Sequence, residues 1–469
     1  MNSRLFDRLR GIADSMQTRP GSQEHAGAAS SPELHNVPSG RRVQASLDDE
    51  QARHRNLDVV ADTLGAEWYE SHGQRCLVIN RAYEPGHRHG CVPIMDSIPD
   101  RDRCWEWLSL LHTGTGNLGS VASVRGLLFV DLETTGLTGG AGTYAFLVGC
   151  GWFDGSRFRV RQFFLSSFAS EAALLDAVAS MARDATAIIT YNGKSFDLPL
   201  IETRFLFHRM DPPFAGMPHV DMLHPARRLW RAEDPHDTSA HSSCRLAVLE
   251  RALCGVVREE DVHGFEIPAR YFTYVRTGDA RPLKAVVKHN RLDLMSLAIL
   301  TARAAQLLYE GPEATRTTRE ALGLGHLYER GCLWDRACAC YARGAGLEGD
   351  LPADAMSCAE SLRSYALLCR RLGRYTDAAN AWQRVLSLAR CPSHIAREAS
   401  EALAIHHEHR LRDLQMARVF ALESLQFTLS VKRQHAGRHR LARLERKLAS
   451  AARHSLPLFG ATEGTGRND

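Results

Sequence analysis

Leu127-Leu128-Phe129-Val130-Asp131-Leu132-Glu133-Thr134-Thr135-Gly136-Leu137 is the stretch on which the reading of this chain turns. Large apolar residues lead directly into two carboxylates and then a Thr-Thr-Gly turn. A short apolar run bounded by glycine predicts an interior β-strand. Strand side chains alternate, so Asp131 and Glu133 project to the same face of the sheet. Two acids at the end of a buried strand are costly to desolvate unless something positive meets them. Oxygen-only ligands suit a hard divalent cation such as Mg²⁺ or Mn²⁺. A strand that simply ends in solvated acids fits the same residues, so the decision lies elsewhere in the chain.

Downstream, Thr143 to Trp152 and Arg157 to Leu165 read as two more strands, joined at the hairpin turn Asp154-Gly155. Ser170 opens a helix with Leu174, Leu175, Val178 and Met181 at helical spacing. A fourth strand, Ala187 to Thr190, ends in Tyr191-Asn192-Gly193-Lys194-Ser195-Phe196-Asp197, and a helix follows to about His208. Helical stretches at residues 244–254 and 282–308 close the region. Hairpins first and crossover helices later predict an α/β domain over residues 126–309, a mixed sheet flanked by helices. Two nucleotide-binding readings fail. Gly193-Lys194-Ser195 resembles the tail of a phosphate loop, but Ile188 stands where that loop begins with glycine. The Gly139 to Gly142 cluster precedes a strand, whereas a dinucleotide fingerprint opens a helix.

Upstream, Gln74 to Asn80 has strand character, and residues 57–125 are expected to form a small β-rich addition and linker. His87 and His89, in Pro85-Gly86-His87-Arg88-His89-Gly90, lack a Cys or acid at ligand spacing and read as a surface turn. Residues 1–56 are rich in Ser, Gly, Arg and His without an apolar core, which excludes a secretory signal and predicts disorder. From 315 to 452 the chain turns helical and rich in Ala and Arg. Leu324-Gly325-x-x-Tyr328 precedes Ala337 and Tyr341; Leu372-Gly373-Arg374-Tyr375 precedes Ala378 and Trp382; Ala417 precedes Ala421. The marker alanines recur about every forty residues, a stretched version of the roughly 34-residue helix-pair repeat. The last helix carries Lys432, Arg433, Arg438, Arg440, Arg443, Arg446 and Lys447, which reads as a solvated face. Residues 453–469 read as a disordered tail.

The 469 residues, 44% hydrophobic and 24% charged, match an ordinary soluble protein of two or three domains. A net charge of +4 permits a polyanionic partner without requiring one. The 12 cysteines include no C-x-x-C pair, and Cys338 and Cys340 are too close for a zinc knuckle; reduced thiols in a cytoplasm are expected.

Four carboxylates stand out: Asp131 and Glu133 on the first strand, Asp197 opening the helix after the fourth, and Asp293 in Lys288-His289-Asn290-Arg291-Leu292-Asp293. His289 lies one helical turn before Asp293, on the same face. The ordered patterns Asp131-Leu132-Glu133-Thr134-Thr135-Gly136, Tyr191 to Asp197 and His289 to Asp293 resemble those of the DEDD exonucleases of the ribonuclease-H-like fold. The likeness extends to Gly139 to Gly149, and to Glu266-Ile267-Pro268 through Arg276 to Asp279. These match the YprB-type branch, in which such a domain precedes tetratricopeptide-like repeats.

The resemblance implies an α/β RNase-H-like domain followed by an all-α tetratricopeptide-like repeat domain. It implies a phosphodiesterase in which Asp131, Glu133, Asp197 and Asp293 hold two Mg²⁺ or Mn²⁺ ions about 3.5–4 Å apart. One ion would activate water and the other stabilise the leaving oxygen. His289 is the expected general base. Asn192 would orient backbone or substrate with Tyr191 beside it, and Thr134 and Thr135 would meet the terminal nucleotide. His289 stands at the spacing that Tyr-type members use for tyrosine, one residue short of the His-type spacing, and one residue re-aims a helical side chain by about 100°. The expectation is therefore a metal-dependent 3′–5′ exonuclease acting on single-stranded DNA or RNA, with the repeats docking a protein partner. The alternatives are a weakly active or inactive nucleic-acid-binding scaffold and a structure-selective endonuclease.

Overall fold

The structure is a computed structural model that describes residues 57–71, 73–94, 105–112, 126–136, 142–231, 244–259, 261–347, 350–351, 354–427 and 431–454. The expected disordered segment 1–56, the tail beyond residue 454 and most of the Gly139 to Gly142 cluster lie outside the described residues.

A mixed sheet of seven strands forms the centre. Its strands are β1 (Glu67–Ser71), β2 (Gln74–Tyr83), β5 (Leu127–Thr134), β6 (Ala145–Asp154), β7 (Arg157–Phe164), β8 (Ala187–Thr190) and β9 (His219–Asp221), in the order β1-β2-β7-β6-β5-β8-β9. The first five pair antiparallel, whereas β5, β8 and β9 run parallel. β3 (Arg88–His89) and β4 (Val92–Pro93) make a separate two-stranded hairpin. Residues 67–83 were expected to belong to a small addition packed on the domain; instead β2 hydrogen-bonds to β7, with Leu77 opposite Phe164, and widens the same sheet. The run Cys76-Leu77-Val78-Ile79 is buried on both faces, which an edge-packed addition would not require.

The alternation read in β5 holds. Leu127 and Phe129 enter one core cluster, and Leu128, Val130 and Leu132 enter the other, on the opposite face. Helices α1 (Glu171–Ala182), α2 (Asp197–Phe207), α3 (Leu223–Leu229), α4 (Leu246–Cys254), α5 (Ile267–Thr277) and α6 (Leu283–Glu310) surround the sheet. Among the described residues α6 is the helix long and apolar enough to cross a membrane, and it is mostly buried against the sheet and the helices beyond it.

Among the described residues seven further helices stack in sequence: α7 (Thr318–Arg330), α8 (Trp334–Gly344), α9 (Ala355–Arg371), α10 (Tyr375–Leu386), α11 (Ser393–His406), α12 (Leu414–Gln426) and α13 (Val431–His454). Each packs on its neighbour in sequence. The marker residues sit where helices meet: Ala337, Ala417 and Tyr341 are fully buried, and a Cβ on Gly325 would lie 2.4 Å from the Tyr341 ring. Small residues at such crossings let two helix backbones approach. In α13, Arg443 and Lys447 converge on the buried Glu408 at 2.7 Å each, so that basic face is partly tied inward rather than solvated throughout.

Candidate active site

Asp131 and Glu133 follow Phe129 on the face of β5 that α6 covers. The β5–β6 register shifts between Glu133 and Thr134, and such a bulge bends a strand and re-aims its side chains. Asp197 is the first residue of α2 and accepts a backbone N–H from Leu132 on β5. Asp293 lies on α6, so three segments far apart in sequence bring the four carboxylates within electrostatic reach of one another.

Their electrostatics record that convergence. Burial raises the Asp131 carboxyl well above the ordinary range, and the charges of Asp293, Glu133 and Asp197 raise it further, against a hydrogen bond from Asn290. Glu133 is raised in the same way by burial and then by Asp293, Asp197 and Asp261, with Arg258 opposing. Burial pushes Asp197 up to about 7 despite its backbone hydrogen bonds. Desolvated carboxylates that repel one another are what a bound cation relieves. The all-oxygen donor set fits a hard divalent ion. As the side chains stand, no three acidic, imidazole or thiol groups among the described residues are gathered at coordination spacing.

His289 is oriented by a residue the sequence reading passed over. Its Nδ1 lies 2.7 Å from Asp261 Oδ1, and its Nε2 lies 3.6 Å from Asp293 Oδ2. A carboxylate can only accept, so in the shorter contact Nδ1 donates to Asp261; Arg258 Nη1 lies 3.3 Å from the same nitrogen. Asp261 sits in the polar run Arg258-Glu259-Glu260-Asp261, which reads as solvated surface and carries no spacing signal.

Asn290, next to His289 on α6, has a role that the sequence pattern does not disclose. It is fully buried, and its Nδ2 donates to Asp131 Oδ2 at 2.8 Å and to the Asp131 carbonyl at 3.1 Å. Gln162 Nε2 on β7 donates in turn to Asn290 Oδ1 at 2.7 Å and to the Val287 carbonyl at 2.9 Å. A Cβ on Gly149 would stand 2.2 Å from Asn290 Oδ1, so only glycine leaves room for this amide.

The loop that delivers Asp197 is organised by Asp221 at the end of β9. Its carboxylate accepts the backbone N–H of Asn192 at 2.7 Å, of Lys194 at 3.1 Å and of Leu223 at 3.0 Å. Asn192 adopts φ of 65°, a left-handed conformation that Asn tolerates better than most residues. The Tyr191 hydroxyl donates to the Cys244 carbonyl. The Thr134 hydroxyl donates to the Gly136 carbonyl at 2.8 Å, and the Thr135 hydroxyl accepts the Tyr144 N–H at 2.9 Å. Both threonines thus shape the turn after β5. Downstream, α2 is anchored by a buried ion pair in which Arg204 Nε donates to Glu171 Oε1 at 2.6 Å.

His89 departs from the surface-turn reading. It is buried, and its Nε2 lies 2.7 Å from Ser296 Oγ on α6, which donates to the buried Glu250. Glu250 accepts from Arg258 Nε at 2.6 Å and Nη2 at 2.8 Å, and Arg258 also donates to Asp293. A polar chain therefore links the β3–β4 hairpin to the quartet.

Residues 128–305 match RNase_H_2, a family of the RNase_H superfamily. Over 394 residues the chain is 29% identical to YprB of Bacillus subtilis (strain 168), a protein described as uncharacterized, across 83% of this chain and 90% of that relative. The chain carries an RNase H-superfamily domain at 128–305, and such a domain suggests nuclease-like activity on nucleic acid. All four carboxylates and His289 fall inside the matched segment.

Proposed function

We propose that the protein is a metal-dependent nuclease, a 3′–5′ exonuclease that hydrolyses phosphodiester bonds of single-stranded nucleic acid. The observation that carries this reading is the meeting of Asp131, Glu133, Asp197 and Asp293 with an imidazole whose Nε2 faces the same cluster. The four carboxylates would hold two Mg²⁺ or Mn²⁺ ions, which when bound supply a lowered water pKa and charge neutralisation at the scissile phosphate. His289 Nε2 accepts the proton of the attacking water. Asp261 keeps Nδ1 protonated and steadies the imidazolium that results. Asn290 holds the Asp131 carboxylate at a set angle, while Asp221 shapes the loop that presents Asp197. Thr134 and Thr135 would meet the terminal nucleotide, and Asn192, with Tyr191 beside it, would orient backbone or substrate. The stacked helix pairs, read as tetratricopeptide-like repeats, would dock a protein partner, and a cytoplasmic setting suits the free cysteines among the described residues.

The test is incubation of the pure protein with labelled single strands, duplexes and RNA–DNA hybrids in Mg²⁺ or Mn²⁺. Mononucleotide release from the 3′ end, lost in Asp131→Asn while the fold survives, is the expected result. Internal fragments would redirect the assignment to an endonuclease. Binding without cleavage, or cleavage that persists in Asp131→Asn, would overturn it.

A further inference from the structure

The quartet already has a cation of its own. Arg258 is almost wholly buried, with 5% of its side chain exposed, and its guanidinium is gripped at Nε and Nη2 by Glu250, itself 1% exposed. The remaining donors reach into the site. Nη2 donates to Asp293 Oδ1 and Nη1 to Asp261 Oδ2 at 3.3 Å. The other oxygen of Asp293 faces His289 Nε2. One oxygen of Asp293 is thus held by the guanidinium, while the other lies 3.6 Å from that nitrogen, beyond hydrogen-bond distance. Asp131 gives one oxygen to the Asn290 amide, and Asp197 receives only backbone N–H groups. The carboxylates accordingly divide into two unequal sets. Among the described residues no guanidinium contacts Asp131, Glu133 or Asp197, although the Arg258 charge also reaches Glu133, whereas Asp293 is paired with Arg258 directly.

We propose that Arg258 is a built-in counter-cation that competes with a divalent ion for Asp293. This rests on the metal-dependent reading above and deepens it. The Asp131, Glu133 and Asp197 set takes one ion without displacing any side-chain cation. A second ion reaches Asp293 only by exchange with the guanidinium. The exchange does not require Arg258 to leave its place, because Glu250 retains it through Nε when Asp293 lets go. Breaking a buried charge pair without replacing it is strongly unfavourable, so the exchange is resisted until another charge arrives. Arg258 is a positioning residue in this scheme. It acts through Asp293 and separates the two ion-binding events in affinity.

The experiment is calorimetric titration of the intact, cation-stripped protein with Mn²⁺ alone, without nucleic acid. The wild type is expected to bind one ion per chain and a second about 10-fold or more weaker, the size of effect that neighbouring partners have on metal affinity. Asp293→Asn should remove the weak step and leave the tight one. The paired change Arg258→Gln with Glu250→Gln removes both buried charges together, and the two steps should then draw to within about 3-fold of each other. Circular dichroism checks that each variant is folded; if the paired variant is not, the wild type and Asp293→Asn decide. Two equal steps in the wild type, or an unchanged weak step in the folded paired variant, overturn the proposal while leaving the nuclease reading intact. Absence of any bound ion overturns both.

Discussion

At the residue scale, Asp197 and His289 make opposite uses of their surroundings. Asp197 stands at about 7 in the folded chain, against an ordinary carboxylate value of about 3.9. Between those values the folded chain keeps a proton that the unfolded chain has released. The folded state is therefore favoured at low pH and loses that advantage as pH rises from about 4 to about 7. Without divalent ions, Asp197→Asn should become more stable relative to the wild type as pH is raised through that window, and added Mg²⁺ should close the gap. Thermal unfolding of both proteins at about pH 5 and pH 7.5, with and without Mg²⁺, measures it; a pH-independent difference would contradict the burial argument. His289→Ala should cost about 10²–10⁴-fold in turnover, measured in the cleavage assay. Asp261→Asn should cost less, and almost nothing once His289 is gone, because it acts through that ring. Additive losses in the double variant would separate the two residues.

At the scale of elements, the site depends on how closely strand β6 approaches helix α6. Gly149 on β6 leaves a gap that the Asn290 amide fills, and the same amide reaches across to Asp131 on β5. Gly149→Ala places a methyl group inside contact distance of a fully buried amide. We expect a loss of about 1–3 kcal/mol, as for other overpacked cores. The same change should lower turnover, because Asn290 can no longer hold Asp131. Chemical denaturation and the cleavage assay read the two effects separately. A variant as stable and as active as the wild type would show that the backbones part easily there. The loop after β8 is bound in a similar way by Asp221 from β9, so the parallel strand pair helps to fix where α2 starts.

Across the whole molecule, one apolar core joins the sheet to the first helix pairs. Phe129 and Ile189 belong to the same cluster as Leu324, Tyr328 and Tyr341. Polar contacts follow the same path: Trp230 Nε1 donates to the buried Glu320 at 2.8 Å, and Arg303 meets Glu320 at 3.2 Å. A Cβ on Gly323 would lie 2.4 Å from the Arg228 carbonyl, so α7 lies directly on the end of α3. A chain ended near residue 312 should consequently be insoluble or strongly destabilised, because it bares the apolar side of α6. Expression and thermal unfolding of that truncation test the point; a stable, monomeric fragment would show that the sheet and its own helices suffice.

The local sequence by itself determined the strand-and-acid pattern of β5, the helix carrying His289 and Asp293, and the small-residue spacing of the helix pairs. Those features depend on side-chain periodicity and turn chemistry, which are legible over a few residues. The sequence did not reveal that residues 67–83 extend the same sheet, that Asp261 turns His289, that Asn290 holds Asp131, or that Arg258 neutralises Asp293. Each of these joins residues distant in the chain, and each is a hydrogen bond or ion pair that forms only when packing excludes water and brings the partners into register. Periodicity records which way a side chain faces, whereas only the folded chain decides what it meets there.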